Sequence, residues 1–84
     1  MNISKVEQRV LHALAQGGCI RHERNGRRVH DVMCVTREGH VLSDCTMAVF
    51  DRLRRRGLIA SRNGAPYRIS RLGRRSVRSQ PDNR

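Results

Sequence analysis

The residues best placed to do chemistry are the arginines between positions 52 and 68. Arg52, Arg54, Arg55 and Arg56 crowd the end of one helical segment, and Arg62, Asn63 and Arg68 follow within a short turn-rich stretch. Guanidinium groups in such density bind phosphate oxygens through paired N–H donors and gain free energy by displacing condensed counterions from a polyanion. Arg52, Arg55, Arg56, Arg62, Asn63 and Arg68 are therefore the expected nucleic-acid or partner-binding residues. Two blander roles compete: cations in a last helical turn complement the helix dipole by about 0.3 to 1 kcal/mol each, and Asn63-Gly64 is first of all a turn requirement.

A second inventory is acid/base. His12, His22, His30 and His40, with Glu23, Asp31 and Glu38, are what a small nuclease would have to use. His22 and His30 are expected to approach each other across a hairpin, yet no spacing sets a general base beside a nucleophile. No catalytic residue is assigned, and the chain is expected not to be an enzyme. Cys19, Cys34 and Cys45 are odd in number, contain no C-x-x-C pair and have no histidine at finger spacing, so neither a disulfide framework, a metal site nor a cofactor is expected. Cys45, near a helix start with arginines close by, is open to two readings, an activated thiolate or a buried structural thiol.

Charge and size frame these inventories. Eighteen Lys+Arg against seven Asp+Glu give a formal charge of +11 over 84 residues, and every cation except Lys5 is arginine. From Ser43 onward there are 11 cations and 3 acids, so the basic character sits mainly in the C-terminal half. Such a field attracts nucleic acids and acidic protein surfaces. A chain this short buries roughly 60 to 65% of its unfolded surface, which leaves little room for a deep catalytic cavity. It has no apolar run of signal-peptide length and none near the ~20 residues that span a bilayer, so a soluble cytoplasmic protein without a membrane partner is expected.

The elements that position these residues follow from local patterns. Ser4-Lys5-Val6-Glu7 fits the capping box S-x-x-E, with Val6, Val10, Ala13 and Leu14 on one face and Gly17-Gly18 as the stop, which predicts a helix from about Lys5 to Gln16. Residues 19 to 36 alternate like strands around Asn25-Gly26 and predict a hairpin. Its register stays open, because Val29, Val32 and Cys34 share a face only if a bulge intervenes. Arg37 to His40 reads as a turn and Val41-Leu42 as an apolar anchor. Ser43 or Asp44 is expected to cap a second helix, with Thr46, Val49, Phe50 and Leu53 buried and Ala48, Arg52, Arg55 and Arg56 on the solvated stripe. After Gly57, Leu58-Ile59-Ala60 and Tyr67-Arg68-Ile69 predict a second hairpin with Pro66 at its turn or edge. Ser70 then caps a short helix through Leu72 and Val77, its apolar face thin.

The expected fold is thus a single small α+β winged-helix-like domain over residues 1–84: helix, β-hairpin, helix, wing hairpin and short C-terminal helix. Residues 80–84, with Pro81, are expected to be a mobile tail. The N-terminal residues of the second helix, Asp44 to Ala48, suit base readout poorly and the arginines sit at its other end. Phosphate contact with weak sequence preference is therefore expected over a sharp operator code. With Tyr67 and Phe50 the only large aromatics, a stacking platform for single strands is not expected.

Several blocks also carry a resemblance. Ser4-x-x-Glu7-Gln8-Arg9-x-Leu11-His12-x-Leu14-Ala15-x-Gly17-Gly18-x-Ile20, Thr36-Arg37-Glu38-Gly39, Leu42-Ser43-Asp44-Cys45-Thr46 with Val49-Phe50, Leu58-Ile59, Gly64-x-Pro66-Tyr67-Arg68-Ile69 and Val77-Arg78-x-Gln80-x-Asp82-Asn83-Arg84 together resemble the YjhX family of small bacterial proteins. The resemblance implies a toxin of a toxin-antitoxin pair that interferes with DNA topoisomerase I, neutralised by an acetyltransferase-like antitoxin. It brings no catalytic motif. A winged-helix DNA-binding transcriptional regulator and a small nuclease toxin are the alternatives, and DNA and topoisomerase I are both expected partners.

Overall fold

Helix α1 (Lys5–Ala15) begins where the capping box predicts: Glu7 N–H donates to Ser4 Oγ at 3.1 Å, and Ser4 N–H donates to Glu7 Oε1 at 2.9 Å. It ends one residue before Gln16, which is its C-cap, and Gly17 at φ +110° turns the chain away. Val10, Leu11 and Leu14 are buried along its inner face. In this computed structural model residues 2–78 are described, and the tail expected to be mobile, residues 80–84, lies outside them.

Strands β1 (Cys19–Asn25) and β2 (Arg28–Val35) form the first hairpin, antiparallel, with Gly26 and Arg27 as its two-residue turn. The turn sits one residue later than the Asn25-Gly26 pair, and Gly26 takes the positive φ of +68°. The register left open by sequence resolves through a bulge. Glu23 pairs with Asp31 and Arg24 with Val29, so His30 is the extra residue and Val29 and Cys34 both reach the core. Val41-Leu42, read as an anchor, is a third strand, β3, pairing with β2 at Cys34↔Leu42 and Val35↔Val41. Leu42 packs against the core, but Val41 is 60% exposed.

Helix α2 (Met47–Arg55) starts later than expected. Thr46, not Ser43 or Asp44, is the N-cap, its hydroxyl accepting from Val49 N–H at 3.3 Å. Asp44 is instead paired with Arg9 of α1, and the chain turns through residues 43–45, with Thr46 N–H donating to the Asp44 carbonyl at 3.0 Å. Val49, Phe50 and Leu53 are buried, whereas Thr46 is an exposed cap and not part of the core face.

The second hairpin is short: β4 (Ile59–Ala60) against β5 (Arg68–Ile69). It is stitched to the first sheet by Ile20 and Tyr67, whose backbone N–H and C=O groups exchange two hydrogen bonds of 2.8 Å. Tyr67 packs edge-on to Phe50, centroids 4.9 Å apart, and burial of each such ring contributes roughly 1.5 to 3 kcal/mol. Helix α3 (Arg71–Arg78) begins at the expected cap, Ser70, whose Oγ accepts from Gly73 N–H at 3.0 Å and donates to the Gly57 carbonyl at 2.6 Å. It docks through Gly73, buried against the Leu58 carbonyl, and through Val77, packed against the core, while Leu72 is 36% exposed. The element order is α+β and compatible with a winged-helix-like arrangement, with β3 added to it.

Candidate functional site

The last turn of α2 and its C-cap residue, Arg56, carry four arginines, and their fates differ. Arg52 donates from Nε to Glu7 Oε2 at 2.7 Å; Arg56 reaches Glu7 Oε1 at 3.5 Å and the Asn2 carbonyl at 2.8 Å. The receiving carboxylate is 2% exposed. Burial by itself would raise the Glu7 pKa, but the Ser4 N–H, the Arg52 guanidinium and the charge of Arg56 outweigh it and hold the carboxyl below its ordinary value. Half of the stripe expected to be solvated thus neutralises an acid of the chain itself.

Arg54 and Arg55 take another direction. Arg54 pairs with Asp51 at 3.3 Å and lies over the Phe50 ring, 5.2 Å from its centroid. With Arg55 it forms one wall of a groove of about 540 Å³ whose other wall is Arg27 and Arg28, at the tip of the first hairpin, with Val29, Met47 and Asp51 completing the lining. Arg62 and Arg68 line a separate groove of about 530 Å³ with Arg71. Arg68 also donates to the carbonyls of Gly17 and Gly18, at 3.5 and 3.4 Å, where α1 has ended.

Asn63 has φ +54° and Gly64 φ +78°, and Ala65 N–H closes the turn on the Arg62 carbonyl at 2.9 Å. Two successive positive φ values are what a type I′ turn requires, which accounts for this residue pair by backbone geometry. Of the six residues singled out from sequence, Arg52 and Arg56 meet at Glu7, Arg62 and Arg68 share a groove, and Arg55 faces the hairpin tip. Arg27, Arg28 and Arg54 were not among them. The Asn25-Gly26 signal places Arg27 and Arg28 at a turn, but that this tip lies against α2 is a tertiary fact without a local signature.

The acid/base inventory disperses. His30 Nε2 lies 4.0 Å from Glu23 Oε1 at the exposed bulge, whereas His22 accepts from Arg24 Nε at 3.3 Å and meets the Tyr67 ring edge-on at 5.0 Å. The two imidazoles have different partners. Among the described residues no cluster of three or more His, Cys, Asp or Glu could hold a metal ion. Cys34 and Cys45 are buried and unbridged. A side-chain hydrogen bond with Cys34, reinforced by burial, pushes the Cys45 thiol up, and its near-complete burial fits the structural reading of this residue. No helix among the described residues is long and apolar enough to cross a membrane.

Three helices, two antiparallel hairpins and surface grooves lined by arginine define a small basic α+β domain. The chain belongs to the YjhX toxin family, described as "Putative toxin of bacterial toxin-antitoxin pair", which it matches over residues 1–84. A UPF0386 protein of Brucella anthropi is 63% identical over 84 residues and one of Beijerinckia indica subsp. indica 65% identical over 86, each match covering all of both chains. A UPF0386 protein of Caulobacter vibrioides is 58% identical over 85 residues, covering all of this chain and 93% of its own. No solved structure matches.

Proposed function

We propose that the chain is a non-enzymatic toxin that interferes with DNA topoisomerase I through cationic surface, and that an acetyltransferase-like antitoxin neutralises it. Membership of a toxin family supports the first half of this reading. The observation that carries the second is cationic surface left without internal counter-ions: among the described residues Arg27, Arg28 and Arg55 in one groove and Arg62, Arg68 and Arg71 in another belong to the arginines with no acidic partner, although Arg9, Arg52, Arg54 and Arg56 each have one. Unneutralised guanidinium groups repel one another and are stabilised when an anion arrives. The phosphates of DNA supply such an anion, and an acidic patch on the enzyme would supply another.

The test is relaxation of negatively supercoiled plasmid by purified topoisomerase I, titrated with this protein at roughly 50 and 200 mM salt, a range over which phosphate-dominated binding weakens steeply. Inhibition relieved by extra plasmid identifies occupation of the DNA; inhibition relieved by extra enzyme identifies direct contact with the topoisomerase. If relaxation proceeds unchanged at a large molar excess of the protein, the topoisomerase reading is wrong.

A further inference from the structure

The wing and the outer stripe of α2 are where a helix-plus-wing protein is expected to meet nucleic acid, but two arginines of that stripe are held by Glu7. The groove between the hairpin tip and the C-terminal half of α2 has a different character. Arg27 comes from the turn, Arg28 opens β2, and Arg54 and Arg55 close α2, so four guanidinium groups from two separate elements face one space of about 540 Å³. Its single acid, Asp51, is already paired with Arg54.

The ordinary explanation for cations at this place covers only half of them. Arg54 and Arg55 complement the C-terminal end of the α2 dipole, an effect that falls off within one turn. Arg27 and Arg28 belong to a strand hairpin and gain nothing equivalent. The fold brings them beside two more cations with one carboxylate to offset four charges, an arrangement that is unfavourable until an anion enters.

We propose that this groove binds the phosphate backbone of a nucleic acid, with Arg27, Arg28, Arg54 and Arg55 as its contacts. The inference rests on the binding-protein reading above and names the anion and the surface that reading requires. Phosphate is favoured over a carboxylate-bearing peptide because counterion release grows with each further phosphate neutralised. A long backbone crossing this groove can also draw on Arg62 and Arg71 in the second one. No aromatic ring lines the first groove, so contact is with sugar and phosphate and carries little sequence preference.

The experiment is fluorescence anisotropy on a labelled DNA duplex of arbitrary sequence across a salt series. It compares the full chain with the triple variant Arg27→Ala, Arg28→Ala, Arg55→Ala, and with a charge-matched control, Arg37→Ala, Arg74→Ala, Arg75→Ala, whose exposed residues line neither groove. The groove arginines removed have no side-chain hydrogen bond or ion pair among the described residues, so the fold is expected to be retained; the double variant Arg27→Ala, Arg28→Ala, confined to the tip, repeats the test with less change. Loss of about three phosphate contacts makes the slope of log K against log salt shallower by roughly 2 to 3, and the tip double variant by roughly 2. The control keeps most of the slope.

Equal losses in the groove variant and the control overturn the inference, because the field alone is then responsible. So does polyglutamate that displaces the duplex as well as unlabelled duplex does, which identifies an acidic protein as the occupant. Plasmid relaxation measured on the same proteins separates this inference from the function proposed above. Topoisomerase inhibition without DNA binding sinks the phosphate groove alone, and groove-dependent DNA binding without inhibition sinks the topoisomerase reading alone.

Discussion

Arg52 and Glu7, 45 positions apart in sequence, meet at 2.7 Å, and the carboxylate between them is 2% exposed. The contact ties α2 to the first turn of α1 through the same side chain that closes the α1 capping box. One residue therefore serves helix initiation and helix packing together. Replacing Glu7 with Ala removes the acceptor of the Ser4 N–H and of Arg52, while Arg56 keeps the Asn2 carbonyl; with both guanidinium groups partly solvated, the expected cost is about 1 to 3 kcal/mol in denaturant unfolding. Glu7→Gln, which keeps an acceptor for Ser4, should cost about half of that.

The same carboxylate sets an acid limit. Its folded pKa lies below its ordinary value of 4.5, so the unfolded chain takes up the proton first as pH falls. The Glu7 contribution is complete above that ordinary value and disappears as pH drops through the lower folded value. Unfolding midpoints measured from pH 7 down to pH 2 should fall in that acid window, and Glu7→Gln should flatten the fall. An unchanged acid profile in Glu7→Gln would assign the effect to other carboxylates.

Gly73 predicts the opposite of helix propensity. An added Cβ would lie 2.3 Å from the Leu58 carbonyl oxygen and 2.7 Å from an Ile69 side-chain carbon. Alanine gains about 1 kcal/mol over glycine inside a helix, yet overpacking against a backbone oxygen costs roughly 1 to 3 kcal/mol. The clash prevails. Gly73→Ala should lower Tm by several degrees, and an equal or higher Tm would mean that α3 does not dock through this residue.

Asn63 separates turn geometry from ligand contact. Its φ of +54° is strained for most side chains, so Asn63→Val should destabilise by about 1 to 2 kcal/mol, whereas Asn63→Gly should be tolerated. Duplex binding by Asn63→Gly should match the unmodified chain. Weakened binding with unchanged stability would make the side chain a contact after all.

Thiol labelling should follow burial. Cys19 is only partly buried, whereas Cys34 and Cys45 are enclosed free thiols hydrogen-bonded to one another. In the native protein a thiol reagent should modify Cys19 alone, the other two reacting only on unfolding. Rapid native labelling of Cys45 would contradict the raised thiol.

Local chemistry in the sequence reached far into this fold. Ser4 and Glu7 announce α1, Asn63-Gly64 announces the second turn, and Ser70 announces α3, because capping and turn formation are satisfied within a few residues. The bulge was also required by the spacing of Val29, Val32 and Cys34, although its position at His30 was not. What stayed hidden depends on partners distant in the chain. Asp44 looked like a helix cap until Arg9 engaged it, and Arg52 and Arg56 looked solvated until α1 brought Glu7. Residues 41–42 gave no strand signal, since two residues pair only because β2 already offers an edge. The groove arginines were hidden for the same reason: neither the tip nor the helix reveals the other.

The Ile20 and Tyr67 stitch has a consequence for how the molecule comes into being. Its two halves lie far apart along the message, and the ring that fills the space beside Phe50 belongs to the later one. A ribosome must therefore deliver the polypeptide through position 67 before the sheets can join, and contacts of such long sequence separation form late and slowly. A shorter nascent product would leave Ile20 without its backbone partner and Phe50 without the tyrosine ring, so premature termination should yield material for proteases and not a partially functional protein.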